Sequence, residues 1–296
     1  MRDVVLSVLA VLLALVIGGH RAVPGNAGVL VDTALPWLGA GVPVLAVVAL
    51  LLRSRVGAVA VLLPALVWAG LFGPQVLRRR PDAPGELRVA TQNFWAGNPD
   101  AAGTARRLAA TGAGVIAGQE LEYDPRTKVD GVLAAAGYRY SRSSGTVGLW
   151  SRYPITESSR VDIGIGFRPG LRARIATPHG QVVVYVVHLA SIRPGESAAR
   201  DRTLARLRAR LHADTARRTL VLGDLNTATT DRALDRLSPL REAQTAAGSG
   251  FGFTWPARFP VTRPDHILFT GMRPVSAQAV RTTGSDHRAA VASFDI

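Results

Sequence analysis

Three uncharged, strongly apolar stretches fill most of the first 80 residues of this 296-residue chain, and they constrain its architecture more than any other feature. They run over residues 4–20, 33–52 and 56–77, with charged residues between them. Each is close to the roughly 20 residues that an α-helix needs to cross about 30 Å of hydrocarbon. We therefore predict that residues 1–80 form a membrane anchor of three transmembrane helices.

The first stretch has a second interpretation, as the apolar core of a cleaved signal peptide that follows Arg2. Gly25-Asn26-Ala27 is a poor cleavage site, which favours three spans. The arginines that flank the stretches divide three against four between the two sides of the membrane. The positive-inside rule therefore leaves the orientation open.

Charge and cysteine content restrict the chemistry of the chain. The formal net charge is +14, and Lys128 is the only lysine among the 35 basic residues. A basic surface would attract phosphates, nucleic acid or anionic headgroups, although this arginine bias is also typical of a GC-rich genome. The chain has no cysteine, which excludes disulfides, thiolate metal sites and cysteine nucleophiles.

A short polar linker over residues 81–86 leads into a predicted globular domain over residues 87–296. Strand-like segments alternate with helical ones, but several consecutive strands are joined by links too short for a crossover helix. The pattern predicts an α+β domain with helices on the outer faces of paired sheets. Strands are predicted over residues 87–93, 115–120, 146–151, 172–176, 181–189, 219–223, 266–270 and 288–295, of which 181–189 is the strongest. A long arginine-rich helix is predicted over residues 196–213.

Polar side chains recur where predicted strands begin or end. A single such residue is usually a turn former, but a rigid sheet holds side chains at its strand ends with little slack. The recurring residues are Asn93, Glu120, His188, Asp224, Asn226, Asp265, Asp286 and His287.

Two of the segments that contain these residues suggest a metal site. In Gly223-Asp224-Leu225-Asn226 the carboxylate and the amide are two residues apart, so on an extended chain they point the same way. Gly223 would let a ligand approach the backbone closely. In Ser285-Asp286-His287 a carboxylate stands beside an imidazole. Oxygen ligands of this kind suit Mg²⁺ or Mn²⁺ rather than zinc.

Six short motifs, in this order, resemble those of the endonuclease/exonuclease/phosphatase superfamily, which includes DNase I-like nucleases, neutral sphingomyelinases and inositol polyphosphate 5-phosphatases. The resemblance implies a DNase I-like, four-layer α/β/β/α sandwich with the active site at one edge of the two sheets. The motifs are Thr91-Gln92-Asn93, Gln119-Glu120, Val187-His188, Gly223-Asp224-Leu225-Asn226, Pro264-Asp265-His266-Ile267-Leu268 and Ser285-Asp286-His287.

The same resemblance implies roles for individual residues. Glu120 would be the principal ligand of Mg²⁺ or Mn²⁺, with Asn93 beside it, and Asp286 would be a further ligand or bind the metal through water. His287, oriented by Asp265, would be the general base or a stabiliser of the transition state. Three further residues would contact the phosphate or the attacking water: His188, Asp224 and Asn226. No carboxylate matches the family's partner for His188.

A lean catalytic domain after three membrane spans resembles the actinobacterial membrane-anchored branch of the family. That branch includes a teicoplanin-resistance-associated protein and carries its domain outside the membrane. The resemblance implies a multi-pass cell-membrane protein with an extracytoplasmic, metal-dependent hydrolase of phosphoric ester bonds. A lipid-linked or membrane-proximal phosphate ester or diphosphate is the favoured substrate. The alternatives are an extracellular metal-dependent nuclease, since nucleic acid remains a possible partner, and a catalytically silent envelope binding module.

The segment 250–260 concentrates aromatic residues among glycines and prolines. These side chains are Phe251, Phe253, Trp255 and Phe259. They would either pack in the core or form a rim beside the site that contacts a lipid chain or the bilayer interface.

Overall fold

The computed structural model describes residues 1–166, 170–191 and 197–296. The chain divides into two compact units. The first contains Met1–Arg78 together with Thr230–Arg232, and the second contains Arg79–Thr229 and Ala233–Ile296.

The first unit consists of apolar helices. Two helical segments are long and apolar enough to cross a membrane, Arg2–Ala22 and Arg55–Leu77. Its α-helices are α1 (Arg2–Gly18), α2 (Gly25–Leu38), α3 (Gly41–Leu51), α4 (Arg55–Ala60) and α5 (Leu62–Leu77).

The span predicted over residues 33–52 is not confirmed as a single helix. The chain instead forms α2 and α3, which are bent by 58° at the intervening break and could make a third span only as a pair. Pro43 lies in the first turn of α3, where a missing backbone N–H costs little. Asp32 does not bound the span but is buried inside α2, where its Oδ1 lies 2.6 Å from Nδ1 of His20.

The second unit contains two six-stranded sheets, each with parallel and antiparallel pairs. The first sheet has the order β11 (Arg273–Val280), β12 (Ala289–Asp295), β1 (Leu87–Asn93), β2 (Val115–Gln119), β4 (Val147–Ser151) and β3 (Tyr140–Ser144). The second has the order β5 (Ile155–Val161), β6 (Gly170–Thr177), β7 (Gly180–His188), β8 (Thr219–Asp224), β10 (Asp265–Thr270) and β9 (Arg241–Glu242).

Helices cover the outer faces of both sheets. α6 (Ala101–Ala109) and α7 (Tyr123–Ala135) share a core with the outer face of the first sheet, and α8 (Ala198–Ala213) shares one with the second. A short helix, α9 (Ala243–Ala247), follows β9. A third core lies between the sheets, where side chains such as Val89 and Leu220 meet. The alternation of strand side chains between two apolar faces produces these layers.

The predicted α+β class is confirmed, as two mixed sheets with helices. The strands predicted over residues 87–93, 181–189 and 219–223 agree with β1, β7 and β8 to within one residue. The helix predicted over residues 196–213 corresponds to α8, although position 196 lies outside the described residues. Four strands were not predicted: β3, β5, β9 and β11.

Candidate active site

Asn93 and Glu120 lie side by side at one edge of the first sheet. β1 and β2 are parallel neighbours, with Asn93 opposite Gln119, so their carboxyl ends place the two residues together. Nδ2 of Asn93 donates to Oε1 of Glu120 at 2.9 Å, and the backbone N–H of Ala96 donates to Oε2 at 3.1 Å. Both Glu120 oxygens are thereby oriented.

The second sheet presents a matching group. β7 and β8 are also parallel, with His188 opposite Asp224, and β10 runs antiparallel to β8 with Asp265 opposite Asp224. All three side chains are buried. Three neighbouring strands therefore hold an imidazole and two carboxylates at a single edge.

Asn93 connects the two groups. The same Nδ2 that binds Glu120 donates to Oδ2 of Asp224 at 3.0 Å, so the amide stands between carboxylates of different sheets. Nε2 of His188 lies 3.7 Å from Glu120 Oε1 and 3.8 Å from Asp224 Oδ2. Its Nδ1 is buried and has no hydrogen-bond partner among the described residues.

His287 is held by Asp265. Its Nδ1 lies 2.8 Å from Asp265 Oδ2, and its Nε2 lies 4.0 Å from Asp224 Oδ2 and 3.9 Å from Asp286 Oδ1. Burial by itself lowers the pKa of this imidazole. The carboxylates of Asp265, Asp224 and Asp286 outweigh burial and raise the pKa to about 9.

Asn226 is not placed as strand alternation predicted. β8 ends at Asp224, and Asn226 has a φ of 47°, so the two side chains do not follow an extended chain. Oδ1 of Asp224 instead accepts the backbone N–H of Asn226 at 2.8 Å, which closes a tight turn. The Asn226 amide donates to the carbonyl oxygen of Leu189 at 2.9 Å and connects this turn to the end of β7.

Gly223 is required by the sheet itself. A Cβ at this position would lie 1.9 Å from the carbonyl oxygen of Val187 on β7, so the close approach is that of a neighbouring strand. Glu120, by contrast, adopts a left-handed conformation with φ of 58°. Such strain in a non-glycine residue is concentrated at functional sites.

The donors at this edge fit a hard divalent cation. They are carboxylate and amide oxygens without thiolates, and Oδ1 of Asp286 is buried without a hydrogen-bond partner among the described residues. Asn93 points its NH₂ group at Glu120, and its Oδ1 accepts the N–H of Trp95 at 2.9 Å. An amide oxygen has two lone pairs, so this Oδ1 keeps one for a cation.

A different trio has the most closely grouped ligand atoms. Asp224, Asp265 and His287 each place one such atom within 4.8 Å of the others. His287 and Asp265 already bind each other, so the hydrogen bond between them accounts for much of this proximity. The predicted ligands Glu120, Asn93 and Asp286 lie around this trio and do not belong to it.

Two residues of the site make contacts that the sequence did not predict. Ser285 accepts the N–H of His287 at 3.0 Å and donates to the carbonyl oxygen of Asn93 at 2.7 Å, which fixes the approach to β12. Thr254 donates to Asp265 Oδ2 at 2.5 Å. A buried carboxylate that orients an imidazole commonly accepts a second hydrogen bond, but the sequence does not show which loop supplies the donor.

The aromatic segment 250–260 has both half-buried and exposed rings. Phe251 and Phe253 are half-buried and stack with ring centroids 5.1 Å apart. Trp255 is exposed beside the site, with its ring centroid 6.5 Å from that of His287 and its Nε1 3.4 Å from Asp286 Oδ2. Phe259 is 71% exposed.

The sequence model of the Endonuclease/Exonuclease/phosphatase family matches residues 90–287, well over half of the chain and all of the strand ends that form the site. The chain belongs to this family. It is accordingly a metal-dependent hydrolase that acts on phosphoric ester bonds. No curated protein is a significant match to this sequence.

Solved structures share the fold at low sequence identity. D. rerio TDP2 complexed with a single-strand DNA product has a TM-score of 0.61 at 17% identity, covering 71% of this chain and 99% of that one. A mannosyl-6-phosphatase from Bacteroides thetaiotaomicron has a TM-score of 0.60 at 14% identity, covering 70% and 99%. Beta toxin from Staphylococcus aureus has a TM-score of 0.57 at 15% identity, covering 70% and 99%.

Proposed function

We propose that this protein is a membrane-anchored, divalent-metal-dependent phosphoesterase that hydrolyses a lipid-linked or membrane-proximal phosphate ester or diphosphate. The observation that carries the catalytic part is the double hydrogen bond of Asn93 to Glu120 and Asp224. It brings carboxylates of two sheets to one point, beside the His287–Asp265 pair. A phosphoryl group placed there would meet a cation site and two imidazoles.

Different residues of the site have different roles in hydrolysis. Glu120, Asn93 and Asp286 would hold Mg²⁺ or Mn²⁺, which supplies positive charge to the phosphoryl oxygens. His188 donates to a phosphoryl oxygen through Nε2, the nitrogen that faces the carboxylates. Asp224 and Asn226 orient the attacking water and the phosphate.

His287 either accepts a proton from the attacking water or stabilises the charge that develops at phosphorus. Asp265 binds Nδ1, so Nε2 is the nitrogen that faces the reacting groups, either as general base or as a stabiliser of the transition state. As water attacks, one P–O bond forms, the bond to the leaving oxygen breaks, and that oxygen takes up a proton.

Chain length and exposed aromatic residues support a membrane substrate. Nine residues separate α5 from β1, and a fully extended segment of that length spans only about 30 Å. If α5 crosses a membrane, the catalytic domain begins within that distance of its surface, where lipid-borne phosphates are concentrated. Trp95, Trp255 and Phe259 are exposed on segments that lead into or flank the site, and aromatic side chains favour the bilayer interface.

Substrate class is tested with the full-length protein in liposomes. We expect release of phosphate or a phosphorylated headgroup from a lipid-linked substrate, and at least about tenfold lower activity on duplex DNA at matched Mg²⁺ and salt. Trp255→Ala should impair lipid turnover by about threefold more than turnover of a small soluble phosphate ester. Tyr140→Ala, which removes an exposed aromatic ring at the far end of the sheet, is the matched control.

Two results would redirect the proposal. Efficient plasmid nicking without turnover of any lipid phosphate would favour the nuclease alternative, which the DNA product bound to D. rerio TDP2 makes the natural competitor. Failure to hydrolyse any substrate while still binding phosphorylated ligands would favour the silent envelope module.

The extracytoplasmic location is a separate part of the proposal. It follows from the resemblance to the actinobacterial membrane-anchored branch, since flanking charge leaves orientation open. Alkaline phosphatase fused after Ile296 should be active, and a fluorescent protein that folds only in the cytoplasm should be dark at the same position. The opposite pattern would mean an inverted anchor or an even number of spans.

A further inference from the structure

A large cavity adjoins the catalytic cluster. Its volume is about 700 Å³, within the ~300–1,000 Å³ typical of small-molecule sites. Ser285 and Asp286 line it, and both also contact His287 or lie beside it. A substrate group in this cavity would therefore be continuous with the group that is hydrolysed.

Three arginines line the cavity from three different elements. Arg107 belongs to α6, Arg258 to the segment that follows Trp255, and Arg281 comes directly after β11. All three are exposed, and none has a hydrogen-bond or ion-pair partner within residues 1–166, 170–191 and 197–296. Asp286 is the lone acidic residue among the lining residues, so the wall carries excess positive charge.

Backbone and side-chain hydrogen bonds hold the walls of this cavity. The N–H of Ala257 donates to the carbonyl oxygen of Asp286 at 2.6 Å, and Nε of Arg288 donates to the carbonyl oxygen of Ala257 at 2.9 Å. On the other side, Thr104 of α6 donates to the carbonyl oxygen of Thr283. The segments that bear the arginines are thus attached to one another before any ligand binds, which reduces the entropic cost of binding.

The charge arrangement indicates what would fill the space. Guanidinium groups bind phosphate oxygens through paired, charge-assisted hydrogen bonds. Three of them around a single cavity match a compact group with more than one negative charge. Single-stranded nucleic acid instead requires positive charge extended along a groove.

We propose that this cavity binds a second phosphoryl group of the substrate, so that the enzyme prefers diphosphates or other substrates with two adjacent phosphates over simple monophosphate esters. The inference rests on the proposed phosphoesterase function and specifies its substrate class. Arg258 and Arg281 provide most of the preference, and Arg107 completes the binding wall.

Binding is measured without metal, so that chelation and catalysis do not contribute. The probes are methylenediphosphonate and methylphosphonate, titrated by calorimetry in EDTA into the full-length protein in detergent. We expect the diphosphonate to bind at least about tenfold more tightly than the monophosphonate. In the double variant Arg258→Gln/Arg281→Gln this preference should fall by about tenfold or more.

Arg139→Gln is the matched control, because Arg139 is exposed, lies outside the cavity and has no ion pair among the described residues. It should keep the full preference. Equal affinity for the two probes, or a preference that survives the double variant, would overturn the proposal. A short oligonucleotide whose binding depends on these arginines, with no advantage for diphosphonate, would also overturn it.

A kinetic measurement separates this inference from the proposed function. The ratio of kcat/KM for a lipid diphosphate to that for the matching lipid monophosphate should fall in the double variant and stay constant in Arg139→Gln. If no lipid phosphate is turned over but the diphosphonate preference remains, the lipid function fails while the binding site stands. If lipids are turned over without any effect of the arginines, the reverse holds.

Discussion

The catalytic cluster and the arginine-lined cavity lie next to each other but are built in different ways. The cluster is formed at the ends of central strands, and its polar groups are mostly buried and hydrogen-bonded to each other. The cavity is formed by a helix and three loops, and its arginines are exposed and unpaired among the described residues. The catalytic cluster is held in place before a substrate binds, whereas the cavity arginines are still available to bind an anion.

This difference separates chemistry from selectivity. A rigid sheet edge gives the same reaction geometry to every substrate, whereas loops that surround it can change which substrates bind. Substitutions in the cluster should therefore reduce turnover of all phosphate esters alike. Substitutions of the cavity arginines should change only the ranking of substrates.

The largest effect is expected at Glu120. Glu120→Gln keeps the shape of the side chain but removes the charge of the proposed principal cation ligand, so hydrolysis of every substrate should be abolished and Mg²⁺ affinity should fall by about a hundredfold. Calorimetric titration with Mg²⁺ measures the affinity. Glu122→Gln, an exposed carboxylate two residues away, is the control and should behave like the wild type. Unchanged Mg²⁺ affinity in Glu120→Gln would remove Glu120 from the metal site.

The next largest effect is expected at His287. Its replacement by Ala should lower kcat by about a hundredfold or more for lipid and soluble substrates alike, the usual scale for an acid–base group. KM should change little, because the ring acts on the reacting group rather than on the rest of the substrate. His179→Ala, at an exposed histidine, is the control. A loss limited to diphosphates would instead place His287 in the selective region.

Sequence patterns predicted the centre of the fold better than its margins. All four unpredicted strands are edge strands: β11 and β3 of the first sheet, and β5 and β9 of the second. β3 and β5 carry mostly exposed polar side chains, so they lack the apolar alternation that identifies a half-buried strand. Edge strands often have such residues because their free backbone N–H and C=O groups could otherwise pair with another chain.

The same division applies to the site. The positions that follow central strands, such as Glu120 and Asp224, were predictable because parallel neighbours end at one edge of a sheet. The direction of the Asn226 side chain was predicted wrongly, because strand alternation was assumed to continue past Asp224, where β8 ends. The three cavity arginines gave no signal, since Arg107 lies more than 150 positions before Arg258 and Arg281 and none of the three belongs to a motif.

The smallest of the three catalytic effects is expected at Asp265, which acts through His287. Asp265→Asn preserves a hydrogen-bond acceptor for Nδ1 but removes the charge, so kcat should fall by only about tenfold. Together with Asp224 and Asp286, this carboxylate raises the pKa of His287 to about 9 in the metal-free protein, above its usual value of about 6.5. The variant should therefore show a lower His287 pKa in NMR titration of the ring.

Protonation of His287 is linked to folding, and the linkage determines how the stability of the protein changes with pH. A histidine whose pKa is raised by folding contributes stability that is fully present below about pH 6.5 and is lost as the pH rises through about 9. Between these values the Tm of the metal-free wild type should decline, and in Asp265→Asn this part of the decline should become smaller, because Asp224 and Asp286 still face the ring. Asp124→Asn, at an exposed carboxylate, should keep the wild-type slope. An unchanged slope in Asp265→Asn, together with wild-type turnover, would show that the pair does not act as a unit and that the catalytic cluster is less tightly coupled than its hydrogen bonds indicate.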